Sequence, residues 1–352
     1  MRLLIAGSIV FLAASAVSSQ MRIPNRSQPL FKGAQGAQKT EIHYDPATGT
    51  VTLKLLVQDP NGYFIPDIRR ENFVVYENGV RQDNLSVAVE HAAVSVGLLL
   101  ERGGRFPELN RDLTAEVSRA GYQLLEDLGS QDQAAIWTYA DSVSELADFT
   151  SNRQSLEQIL LSLKPPDVSE ANLYDALIWA IDRIRPVAAR KATILISSGV
   201  DTFSKATLKD ALNAARQSDA PIYAISLAHA LQADADLPGK PAVKIDWNGC
   251  DKTLGEIARA SGGRLYSPSD TITLAPTYDD LIQNLKVRYV IAYRSSNHGS
   301  PDVRRTVRVE LVEPATGKSL RLVDANGRLV RATVITEESY TPTQASGKKG
   351  NF

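Results

Sequence analysis

AVSVGLLLERGGR, from Ala93 to Arg105, runs through Val94, Val96, Leu98, Leu99 and Leu100 and then stops abruptly in charge and glycine. A half-exposed strand would alternate apolar with polar residues. An unbroken apolar run reads instead as a strand buried on both faces of a parallel sheet. Its carboxyl end is released at Glu101 into a polar loop. Ligands of open α/β sheets bind outside the carboxyl ends of the strands, so Glu101 to Arg105 is where a site is expected.

Downstream, the rhythm is that of alternating helices and strands. Leu109 to Leu128 carries Leu113, Val117, Leu124 and Leu125 at helical spacing, and Ala134 to Tyr139 reads as a strand. Ser151 to Leu163 is a helix capped by Ser151 or Asn152 and stopped by Pro165-Pro166, and Leu173 to Ile184 is another with one apolar face. Ala192 to Ile196 and Ile222 to Ser226 are strands, with helices expected near 205–216, 253–260 and 278–285. This alternation specifies a doubly wound, mostly parallel, Rossmann-like α/β sheet over 93–286.

On either side the period changes to two. Region 40–92 reads as short antiparallel strands: Thr50 to Gln58, then Phe73 to Tyr76 and Leu85 to Val89 flanking the Asn78-Gly79 turn. Region 287–338 repeats the pattern in Val287 to Tyr293, Arg304 to Leu311 and Leu329 to Ile335. The economical account is one Ig-like β-sandwich whose two halves flank an inserted α/β domain. Residues 20–39 are polar and aperiodic, a flexible leader, and 339–352 read as a disordered tail.

Composition excludes several classes of function. The 352 residues carry 39 basic against 40 acidic side chains, a net charge of −1, so no basic excess points to nucleic acid. Residues 1–19 have Arg2 followed by a short apolar core and small residues, the pattern of a secretory signal cut after Ala16 or Ser19. That run falls short of the ~20 residues a membrane span needs, so cleavage rather than membrane insertion is expected. The mature protein is then exported to the periplasm, the cell surface or the medium. Cys250 is the one cysteine, which rules out an internal disulfide.

VQDPNGYFIPDIRRENFVVYENGVRQ, NLYDALIWAIDRI, TILISSGVDTFS, LGEIARASGGRLY and LKVRYVIAYRS together resemble the von Willebrand factor type A (vWA) superfamily, and within it the exported VWFA-related Acidobacterial domain proteins. The resemblance covers about 50–312. It implies a protein-binding, adhesion-type domain. Many such domains hold Mg²⁺ or a similar ion through an Asp-x-Ser-x-Ser loop, a threonine and an aspartate, because hard cations take oxygen ligands. On this sequence those positions fall on Glu101, Gly103, Arg105, Ala171 (with Asn172 beside it) and Ser198. None holds the expected residue. The resemblance therefore implies a degenerate site with no metal and no other cofactor, in which Arg105 neutralises Glu101.

What remains is an ion-free contact surface for an unidentified protein partner, built from Glu101, Arg102, Arg105, Asn172, Ser198 and Asp201. A non-standard metal site from Glu101, Asp141 and Asp201 is the alternative on the same face, and a cell-envelope scaffold assembling through the sandwich is the alternative elsewhere. Enzymatic motifs are missing from the sequence: there is no Gly-x-Ser-x-Gly, His-Glu-x-x-His or Walker loop. Ser261-Gly262-Gly263-Arg264 follows a helix and precedes a strand, the reverse of a phosphate cradle. Asp175, at a helix start, complements the helix dipole. The long His229 to Asp251 segment is either a contacting insertion or a loop whose Trp247 tucks against the domain.

Overall fold

The computed structural model describes residues 21–22, 40–60, 62–103, 113–164, 170–188, 190–235, 245–268, 274–324 and 326–342. The signal segment 1–19, almost all of the leader and Arg105 lie outside the described residues.

The apolar run forms the strand Val94–Glu101, and every residue in it is buried. It lies inside a sheet ordered Arg264–Tyr266, Ile222–Ser226, Arg190–Ser197, Val94–Glu101, Gln133–Tyr139, Val143–Thr150. The first five strands are parallel and the last is antiparallel to its neighbour. Both faces are covered, which is why the central strands do not alternate. Val96, Leu98 and Leu100 face a core shared with the helices Leu113–Asp127, Arg153–Leu161 and Ala275–Lys286. Leu99 faces the opposite core, with Leu173–Ile184, Leu208–Gln217 and Trp247–Ala260. Gly97 leaves room for the Trp137 ring: a Cβ there would lie 2.2 Å from it.

The flanking strands build two larger sheets, and a small one of Met21–Arg22, Leu322–Val323 and Leu329–Val330, around a core that includes Leu53, Leu55, Val75, Tyr289, Ile291 and Val307. One is ordered Thr333–Ile335, Thr50–Gln58, Val287–Arg294, Ser86–His91, with Glu41–Asp45 also paired to Thr50–Gln58. The other is ordered Ser339–Tyr340, Arg305–Leu311, Phe73–Glu77, Val80–Gln82. Each sheet takes strands from both sides of the α/β region. The chain enters and leaves that region side by side, with Val287 opposite His91 and the Ala92 amide donating to the Lys286 carbonyl at 3.1 Å.

Several expectations are corrected. The Asn78-Gly79 turn, with φ of 49° and 79°, joins Phe73–Glu77 to Val80–Gln82 and not to the strand near residue 85. A two-residue turn with both φ positive forces immediate pairing. The stretch 329–335 splits into Leu329–Val330 and Thr333–Ile335, in different sheets. At the ends, Met21–Arg22 pairs with Leu322–Val323, and Ser339–Tyr340 pairs with Arg305–Leu311, where leader and disordered tail are expected. Tyr340 is buried, so an apolar anchor outweighs the polar composition around it. Val143–Thr150 was missed because an edge strand with exposed polar residues lacks the buried-strand pattern.

Candidate functional site

The loops at the carboxyl ends of the parallel strands converge on Glu101. Its side chain has no exposed surface. Oε2 accepts hydrogen bonds from the Ser198 amide (2.7 Å), the Ser197 hydroxyl (2.8 Å) and the Tyr139 hydroxyl (3.1 Å), and Oε1 accepts from the Ser198 hydroxyl at 2.8 Å. The Ser197 and Ser198 hydroxyls in turn accept the Gly199 and Val200 amides, folding the chain over the carboxylate. Gly199 makes that turn at φ +80°, against the Cys250 backbone, where a Cβ would come within 2.9 Å of a carbonyl oxygen. Burial pushes the Glu101 carboxyl above its ordinary value while these donors oppose the rise. Burial, with Glu101 close by, likewise pushes the Tyr139 hydroxyl well up and the Cys250 thiol up to about 11. A thiol held protonated is a poor nucleophile.

Glu101 and Gly103, the first two positions of the loop, are both enclosed by protein groups. Glu101 Oε2 accepts the Ser198 amide and the Ser197 and Tyr139 hydroxyls, while Oε1 accepts the Ser198 hydroxyl alone among the described residues. At Gly103, a Cβ would lie 1.9 Å from the Glu170 carbonyl oxygen and 2.7 Å from Ala140 Cα, so backbone fills the place of a ligating side chain. Among the described residues no group of three or more His, Cys, Asp or Glu side chains is placed to hold a metal ion, the set Glu101, Asp141 and Asp201 included. The expected Glu101–Arg105 ion pair reaches a residue outside the described ones.

Above the buried carboxylate lies a surface pinned by short-range bonds. Asn172 donates from Nδ2 to the Asp141 carbonyl at 2.8 Å, and its own amide bonds the Ala140 carbonyl. Arg102 donates to the Lys164 carbonyl at 2.6 Å. Ala171 and Thr202 exchange bonds, amide to Thr202 hydroxyl at 2.7 Å and Thr202 amide to carbonyl at 3.0 Å. Asp201 accepts the Tyr174 amide and the Ser204 hydroxyl. Asp175 has a more specific part than complementing a dipole: its two oxygens accept the Lys205 and Ala206 amides, at 2.9 and 2.8 Å. These bonds tie down the loop between Ser197 and Thr207, and at its tip Phe203 stands 76% exposed.

Of the six candidate positions, Arg102, Asn172 and Asp201 come together on this face, Glu101 and Ser198 lie fully buried beneath it, and Arg105 is not among the described residues. Phe203 escaped the sequence reading, since a lone aromatic in a loop belongs to no periodic pattern. The His229 to Asp251 segment ends in a helix: Trp247 opens Trp247–Ala260 behind the Asp246 cap and is buried. His229 meets Asp251, which also accepts the Ser226 hydroxyl, and the carboxylate thus sits between the other two groups. A nucleophilic triad needs the imidazole in the middle. Ser261 and Gly263 are structural: the Ser261 hydroxyl accepts the Ile222 amide, and Gly263 packs against the Ile222 backbone.

Comparison with known proteins agrees with this sheet. The family profile of the von Willebrand factor type A domain matches residues 110–274. No curated protein matches the chain. Among solved structures, an aerotolerance-related membrane protein from Bacteroides fragilis is similar at 15% identity and TM-score 0.42, over 55% of this chain and 100% of that one. The vWF domain of a type V pili tip protein from Porphyromonas gingivalis is similar at 12% identity and TM-score 0.39, over 55% and 95%. A minor pilin from Streptococcus sanguinis follows at 9% identity and TM-score 0.42, over 55% and 61%. It is the profile over residues 110–274 that supports placing the α/β region in the von Willebrand factor type A superfamily.

Proposed function

We propose that this is an exported, non-enzymatic binding protein that holds a protein partner on the carboxyl-end face of its α/β sheet without a metal ion. Phe203 carries the reading. A large apolar side chain is exposed at the tip of a loop that at least eight hydrogen bonds hold in place. An aromatic already fixed in its presenting geometry loses little conformational freedom on contact, and such residues dominate binding energy at interfaces. Arg102, Asn172 and Asp201 supply a polar rim of both signs, while Glu101 and Ser198 support the loop from below. The export, the degenerate cation site and the immunoglobulin-like class of the flanking sandwich belong to the same reading.

A second reading, a scaffold assembling through the flanking sheets, is favoured by the strand Ser86–His91. It ends its sheet, with one outer edge unpaired among the described residues and Val89 exposed. The test is capture from the native cell-envelope extract by wild type and Phe203→Ser, each with and without EDTA. A partner retained in EDTA and lost by roughly tenfold or more in the variant is the expected outcome. Equal capture by both proteins, or capture abolished by EDTA, would overturn the proposal.

A further inference from the structure

At the opposite, amino-terminal edge of the α/β sheet, a cleft of about 800 Å³ opens between that sheet and the flanking strands. Its charged lining is lopsided, with Lys54, Arg185, Arg190, Lys191 and Arg288 set against Glu41 and Asp219. Most of these cations are answered within the protein. Lys191 meets Asp219 at 2.9 Å, Arg190 meets Glu90 at 3.0 Å, Lys54 meets Glu90 at 3.3 Å, and Arg185 meets Asp182 at 2.8 Å.

Arg288 is the exception. Its Nη1 donates to two backbone carbonyls, Asn284 at 2.6 Å and Val287 at 2.7 Å, and among the described residues no carboxylate lies within ion-pair distance. Nε and Nη2 have no protein acceptor among those residues. A guanidinium anchored by one nitrogen and open along its other edge presents the two-donor fork that fits an oxyanion. Beside it, Tyr223, Leu285 and Pro221 give the cleft an apolar wall for an organic body.

We propose that this cleft binds a small organic oxyanion, a phosphate monoester or a polycarboxylate, with Arg288 as its principal contact and Arg185 at the rim. Burial, with a smaller contribution from Arg190, pulls the Arg288 guanidinium down to about 10, against the opposing influence of Tyr223, Glu41 and Glu90. It stays charged at neutral pH, so the fork is available there. Nothing in this proposal depends on the function assigned to the opposite face.

The experiment is a titration of the purified chain with inorganic phosphate and, separately, citrate, at ionic strength matched with sodium chloride, read by calorimetry and by the shift in Tm. A saturable response to one of them is expected, and whichever arm responds identifies the chemistry. Arg288→Gln should weaken that binding by about ten- to a hundredfold. Arg185→Gln, at an exposed position, should weaken it by less and serves as the folding-neutral check. No saturable response to either anion, a chloride response of equal size, or unchanged affinity in a folded Arg288→Gln protein would overturn it.

Discussion

The Glu101 carboxyl sets one cost, the loss of water, against one gain, the hydroxyl and amide donors that bond it. Glu101→Ala removes the acceptor for all of them at once, and is expected to lower stability by about 3–5 kcal/mol, as buried donors left unsatisfied do. Glu101→Gln keeps the shape and separates the charge from the bonding. Because the folded carboxyl sits above its ordinary value of 4.5, the folded state holds the proton longer than the unfolded chain does. The stability this group contributes is therefore full below 4.5 and is lost as pH rises through the folded value. Thermal unfolding should show the Gln variant gaining on wild type between pH 4.5 and 7.5; a constant difference in Tm would contradict the assignment. The position of Glu101 at a strand end was legible in the sequence, because the apolar run stops there. Its partners were not, since the Ser198 bonds close over 97 positions and no local pattern encodes them.

The strand Ser339–Tyr340 shows how little chain an element needs when one side chain is well placed. The Tyr340 hydroxyl donates to Glu77 Oε2 at 3.1 Å, alongside Tyr293 at 3.0 Å, and Ser295 donates to Oε1 at 2.7 Å. Arg305 lies over the Tyr44 and Tyr340 rings and 3.4 Å from the same carboxylate. Tyr340→Phe, which removes one donor, is expected to cost about 1 kcal/mol, and Tyr340→Ala, which also empties the packing site, about 2–4 kcal/mol in urea unfolding. Equal effects of the two would mean that the ring packs nothing. A long element with a strong period, such as Leu173–Ile184, could be read directly. Two- and three-residue strands could not, because a period needs several repeats to register.

Across the whole molecule, a buried polar joint ties the α/β sheet to the strands around it. Arg264 binds Asp280 at 2.7 Å and the Gly62 carbonyl at 2.6 Å, while Gln58 donates to Asn284 at 2.6 Å. All three tryptophans, Trp137, Trp179 and Trp247, lie in the α/β region, so their fluorescence reports that region alone, whereas far-UV circular dichroism reports the whole chain. The two transitions should coincide in wild type. Arg264→Met leaves Asp280 buried without the guanidinium, and is expected to cost about 3–5 kcal/mol and to separate the transitions. Coincident transitions in the variant would show that coupling resides elsewhere. The change of period at residues 93 and 287 was legible in the sequence; this joint was not, because it joins groups over 200 positions apart. The insertion also sets a timetable. A chain made from its amino terminus exposes Thr50–Gln58 and Phe73–Glu77 long before Val287–Arg294 and Arg305–Leu311 exist to pair with them, and Glu77 waits for Tyr340, 263 positions later. During synthesis the α/β region can fold while the first strands stand with open edges, so the strands from Val287 onward decide when this protein stops being a target for aggregation and proteases.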